Sequence, residues 1–172
     1  MNKAGSCALL VALASCTPDN RLYEQELREV LDGATIGLAH AIREVEQRTT
    51  AGSAVRARLH VVGERWFTVD VIEDGMPRTF AVARSGGVVT ADGTRHRSGS
   101  TDCGPKTLAE LVEVAQERAG GRTVAIEPLS ACACAYRAQV LTSSELMAVD
   151  VFGTGEVADL RISNAGWGED DD

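Results

Sequence analysis

Phe67-Thr68-Val69-Asp70-Val71-Ile72-Glu73-Asp74-Gly75-Met76-Pro77-Arg78-Thr79-Phe80-Ala81-Val82 decides the fold. Two runs alternate apolar and polar side chains, the period of a half-buried strand. The Asp74-Gly75 pair between them suits a two-residue hairpin, whose central residues both need positive φ. Closing the turn there pairs Val69 with Phe80 and Phe67 with Val82, so every pairing keeps apolar opposite apolar. Upstream, Val55, Ala57, Leu59 and Val61 alternate with Arg56, Arg58 and His60 as a third strand. A Gly63-Glu64-Arg65 loop is expected to pair Leu59 with Val69 and Val61 with Phe67, which sets Arg58 opposite Asp70. Before this strand Leu38, Ala41, Ile42 and Val45 mark one face of a helix, with Thr35 as its expected cap. A shorter amphipathic helix carrying Tyr23, Leu27, Val30 and Leu31 precedes it and stops at Gly33.

The same pattern recurs further along the chain. Leu38-Ala39 falls on Leu108-Ala109, Ile42 on Val112, Val45 on Ala115, Phe67 on Tyr136, Val69 on Ala138, and Gly86-Gly87-Val88 on Gly155-Glu156-Val157. In the second copy Thr107-Leu108-Ala109-Glu110 reads as a capping box, and Gly120-Gly121 ends the helix. Ser143-Ser144 takes the place of the Asp-Gly turn, pairing Ala138 with Val149 and Val140 with Met147. The expected fold class is therefore α+β, with two tandem units, each a helix followed by a three-stranded antiparallel meander. The units span residues 34–90 and 106–160, separated by a polar segment at 91–105 and followed by an acidic tail at 161–172.

A Leu-Ala-x-Ala-Ile helix, an extended strand, the aromatic-led strand Phe67-Thr68-Val69-Asp70-Val71, an Asp-Gly turn and a last strand closing on Gly-x-Val together resemble the PepSY domain. The second copy resembles it more weakly. It lacks the Asp-Gly turn, and Ala131-Cys132-Ala133-Cys134-Ala135 replaces its loop and strand start. The resemblance implies tandem PepSY-like units and a role in regulating or inhibiting peptidases.

At the N-terminus, Lys3 precedes the apolar run Ala8-Leu9-Leu10-Val11-Ala12-Leu13-Ala14, too short for a bilayer span of about 20 helical residues but suited to a secretory signal. Leu13-Ala14-Ser15-Cys16 resembles the lipobox of bacterial lipoproteins. That resemblance implies a signal peptide over residues 1–15, lipidation of Cys16, and a lipidated N-terminus with a short helix over 16–33. The protein is then expected in the bacterial cell envelope, in the periplasm or at the outer membrane, attached to the membrane by its acyl chains. The 172-residue chain carries a formal charge of −8, which argues against nucleic acid as a partner, since phosphate backbones need clustered Lys and Arg.

An exported chain meets an oxidising compartment, so Cys103, Cys132 and Cys134 are disulfide candidates, with Cys103 joined to either of the others. A bridge within Cys132-x-Cys134 is disfavoured by strand geometry. No nucleophile elbow, phosphate-cradling loop or zinc-binding His pair occurs, and His40, His60 and His96 are scattered, so no catalytic residue, metal or cofactor is expected. On the sheet face away from the first helix, Arg56, Arg58, His60, Trp66, Thr68 and Asp70 form a candidate binding face, Trp and Arg being frequent interface anchors. Alternatively, Trp66 and Ile72 pack against the other repeat. The function expected is a non-enzymatic protein- or peptide-binding lipoprotein, with a peptidase or another envelope protein as partner. The competing expectation is a thiol-dependent redox or metal-handling lipoprotein that uses Cys103, Cys132 and Cys134.

Overall fold

In the computed structural model, residues 20–61, 66–92, 104–129 and 134–163 are described. Helix α1 (Asn20–Asp32) and helix α2 (Leu38–Glu46) are followed by β1 (Ser53–Leu59), β2 (Trp66–Glu73), β3 (Met76–Ala83) and β4 (Val88–Asp92). Helix α3 (Leu108–Ala119) then leads into β5 (Arg122–Pro128), β6 (Ala135–Leu141), β7 (Leu146–Phe152) and β8 (Val157–Ile162). The eight strands make one antiparallel sheet in the order β4-β3-β2-β1-β5-β6-β7-β8.

This corrects the expected fold class of two separate helix-plus-three-strand units. The chain is mostly β, and two features account for the difference. First, the glycines expected to close each meander turn the chain back instead. Gly86 and Gly87 both have φ 91 and Gly155 has φ 89, and each turn delivers a fourth strand. Second, a three-stranded meander would leave the outer edge of β1, and likewise of β5, with unpaired backbone groups. The two edges satisfy each other, with Ala57 opposite Ile126 and Arg58 opposite Ala125. The halves thus share one core by joining edge to edge, and Trp66 and Ile72 stay half-buried on the face away from α2 and α3.

Register repeats between the halves. Phe67 faces Val82 and Val69 faces Phe80, while Tyr136 faces Val151 and Ala138 faces Val149. An irregularity between Ala54 and Arg56 in β1 recurs between Thr123 and Ala125 in β5. Asp74 and Gly75 have φ 51 and 75, as the hairpin reading requires. The β1–β2 register is a second correction: Leu59 faces Phe67, Ala57 faces Val69, Arg58 faces Thr68 and Arg56 faces Asp70. The connection is wider than three residues, because the His60 N–H donates to the Trp66 carbonyl and closes the ladder two residues earlier.

Alternation sends Phe67, Val69, Val71 and Val82, with Ile126, Ala138, Val140 and Val149, into a core beneath α2 and α3. Their stripes are Leu38, Ala41, Ile42 and Val45, and Leu108, Leu111, Val112 and Ala115, all buried. Arg43 on α2 bonds Glu113 on α3 at 2.6 Å. α3 begins on the expected capping box, Thr107 accepting from the Glu110 amide and Glu110 accepting from the Thr107 amide. α2 is capped differently: its N-cap is Gly37, and Thr35 instead donates its hydroxyl to the Arg84 carbonyl.

α1 lies across one end of the sheet. The Leu146 amide donates to Glu24, Arg28 donates to the Thr142 carbonyl, Arg122 to the Leu31 carbonyl and Arg84 to the Val30 carbonyl. These contacts run from the β7 end to the β3 end, five strand spacings of about 4.8 Å apart, or about 24 Å. The helix, at 1.5 Å rise per residue, is about 20 Å long and fits that span.

Phe67 is fully buried beneath the helices. Replacing it with Ala should destabilise the protein by about 3–5 kcal/mol, seen as a lower urea midpoint at unchanged m value. A change in m would show instead that the compactness of one state had altered.

Candidate functional site

The sheet face away from α2 and α3 carries the side chains that the alternation turns outward. Arg56, Arg58, His60, Trp66, Thr68 and Asp70 all lie on it and all are half-buried. Asp70 accepts from the Thr79 hydroxyl at 2.6 Å, and His60 Nε2 lies 3.0 Å from the Thr68 hydroxyl. Burial, reinforced by the Arg58 charge and opposed by Asp70, lowers the His60 pKa below its ordinary 6.5. His60 is therefore a packed imidazole whose burial favours the neutral form.

The face extends further than the sequence suggested. Arg58 begins a row that crosses the sheet through Ala125, Gln139 and Ala148 to Arg161. The next row holds Glu127, Arg137, Asp150 and Asp159, and Glu127, one residue past Ile126, comes alongside Arg56. Arg137 grips Asp150 through both carboxylate oxygens, at 2.8 and 3.0 Å, and Arg161 adds a third bond at 3.1 Å while also pairing with Asp159. Asp150 is 8% exposed. Burial works against its charged form, but the bonds and charges of the two arginines outweigh that and hold its pKa below 3.8. The expected pairings of this half rest on its apolar face alone, which does not single these residues out. The period-two placement of Arg137 and Gln139, Ala148 and Asp150, and Asp159 and Arg161 was the available signal.

Within this face Gln139 is 5% exposed, and its Oε1 has no hydrogen-bond partner among the described residues. A buried acceptor left so costs about 1–3 kcal/mol.

Of the cysteines, Cys103 and Cys132 lie outside the described residues, as do the signal segment, Cys16 and His96. Cys134 is half-buried at φ 43, its carbonyl accepting from the Gly153 amide at 2.8 Å. His40 is exposed on α2, 3.4 Å from Glu44. Among the described residues no three His, Cys, Asp or Glu side chains gather in a set that could hold a metal ion. The arrangement offers a charge-laddered surface beside a Trp and a His, which suits recognition by hydrogen bonds and ion pairs.

No protein-family model matches the chain, PepSY included, and no curated protein matches it in sequence. Among solved structures, one described as a "putative lipoprotein" from Clostridium difficile 630 aligns with a TM-score of 0.45 and 12% identity, covering 72% of this chain and 90% of that one. At that score and identity the likeness decides neither family nor function. No helix among the described residues is long and apolar enough to cross a membrane.

Two titrations are expected on the acid side. Because the fold depresses the Asp150 pKa, its contribution to stability is full above pH 3.8 and is lost as pH falls through the folded value; Asp150→Asn should flatten that part of the stability profile. His60 also has a depressed pKa, so its contribution is full above 6.5 and declines as pH drops below it, and His60→Gln should remove that decline. Urea midpoints measured from pH 3 to 8 test both. Gln139→Met should leave the midpoint unchanged or raise it, whereas a fall would mean that the amide oxygen is satisfied in solution.

Proposed function

We propose that this chain is a lipid-anchored lipoprotein of the bacterial envelope whose folded part is a non-enzymatic protein-binding module. The observation that carries the reading is Leu13-Ala14-Ser15-Cys16 directly after a short apolar run behind Lys3. The small residues before the cysteine suit processing by a lipoprotein signal peptidase, and the thiol is the acyl acceptor. Helix α1 starts at Asn20, four positions after Cys16, so the module would sit close above the membrane. The resemblance of residues 34–90 to a PepSY unit suggests an envelope peptidase as the partner.

The two sheet edges offer a physical route to such a partner. On β8 the Leu160 amide is already occupied by the Asp159 carboxylate at 2.9 Å, a charge that discourages strand addition. On β4 Val89 is 58% exposed. An extended peptide adding to β4 would gain main-chain hydrogen bonds along an apolar edge.

Growing the host with a labelled fatty acid should label the wild-type protein and leave Cys16→Ala unlabelled and released from the membrane fraction. Equal labelling of both would sink the anchor reading. For the partner, Val89→Lys should weaken capture of an envelope peptidase by the full chain, while a peptidase captured and inhibited equally by both proteins would remove β4 from the account.

A further inference from the structure

A second site lies at the end of the sheet that α1 crosses. Between α1, the start of β5 and the turn after β6 is a cleft of about 260 Å³. Its floor is Gly121 and Leu141. Gly121 is fixed there by space, since a Cβ on it would come within 2.4 Å of the Leu141 carbonyl oxygen. The walls carry two guanidinium groups, Arg28 from α1 and Arg122 from β5. Each is held by one hydrogen bond of 2.7 Å to a main-chain carbonyl from the opposite side, Arg28 to Thr142 and Arg122 to Leu31.

That bonding orients the groups without neutralising them. Each guanidinium has five N–H donors and, among the described residues, uses one of them here and forms no ion pair. The one carboxylate on the lining, Asp32, is exposed and pairs with neither. The exposed Ser143 hydroxyl, with no hydrogen bond of its own among the described residues, stands at the rim. Two charged planar donors and a hydroxyl around a small opening match a tetrahedral oxyanion with several acceptor oxygens.

The tether selects the source of that anion. Three residues separate Cys16 from Asn20, so four steps of 3.6 Å give at most about 14 Å of chain. α1 then runs along the sheet end instead of away from it, so the end with the cleft stays within reach of the bilayer surface. We propose that this cleft binds a phosphate group presented by a phospholipid headgroup, a reading that rests on the anchor at Cys16.

The test uses the full-length chain carrying Cys16→Ala, which has no acyl group and keeps the cleft, so its outcome is separable from that of the fatty-acid labelling. Inorganic phosphate should raise Tm relative to chloride at equal ionic strength. Vesicles of phosphatidylglycerol should retain more protein than vesicles of a phosphate-free glycolipid. Removing one charged donor, in Arg28→Gln or Arg122→Gln, should weaken both effects by about tenfold or more. Ser143→Glu disturbs neither main-chain bond and should abolish both effects while leaving Tm without phosphate unchanged or higher, since the carboxylate faces two guanidinium groups, which guards against loss of folding in the arginine variants. Response to inorganic phosphate with equal retention on both vesicles would overturn the lipid as the source. Absence of any phosphate effect, or vesicle retention that survives Ser143→Glu, would overturn the site.

Discussion

Everything in this fold depends on the antiparallel contact between β1 and β5. Each half of the chain brings a helix and four strands, and each would otherwise leave a long strand edge open beside a thin core. Pairing Ala57 with Ile126 removes both open edges at once. It also sets α2 and α3 side by side over the seam, where Arg43 and Glu113 meet, and makes one core from two small ones. A small apolar core supplies little stability on its own, so the merger matters beyond the two strands that make it.

The outer face follows from the same seam. Because β1 and β5 are in register, the polar rows of the two halves run into each other, and Arg58 shares a row with Gln139 and Arg161. The two halves use the face differently. On β6 and β7 the charges are satisfied among themselves around Asp150, giving a stiff, compensated patch. On β1 and β2 they stand beside Trp66 and a neutral His60. The face is thus an ordered polar surface, and a partner that binds it must match a fixed pattern.

The sequence carried the local features more fully than the global ones. The hairpin at Asp74-Gly75, the capping box at Thr107 and the pairings of Val69 with Phe80 and Ala138 with Val149 each rest on a few neighbouring residues with a strong stereochemical preference. The register of β1 differs from the expectation by two residues, because the Gly63-Glu64-Arg65 sequence places no such demand on the length of the connection. β4 and β8 were missed because their turns resemble terminations: a glycine at positive φ can end a unit or reverse it, and only the strand beyond decides which. The joining of β1 to β5 involves residues far apart in the chain, which alternation alone cannot bring together. The cleft beside α1 was invisible for a similar reason. Arg28 and Arg122 belong to different elements, and each read as an ordinary surface charge.

The position of α1 has a consequence for the order of assembly. It is synthesised before every other described element, yet its partners are Arg84, Arg122, Thr142 and Leu146, spread over both halves. The first helix to be made is therefore the last to be locked in place, and it cannot dock until β7 exists. A nascent or damaged molecule leaves α1 loose. Whether that helix is docked thus reports on the completeness of the whole domain, and a protease able to cut an undocked α1 can tell a finished molecule from an unfinished one.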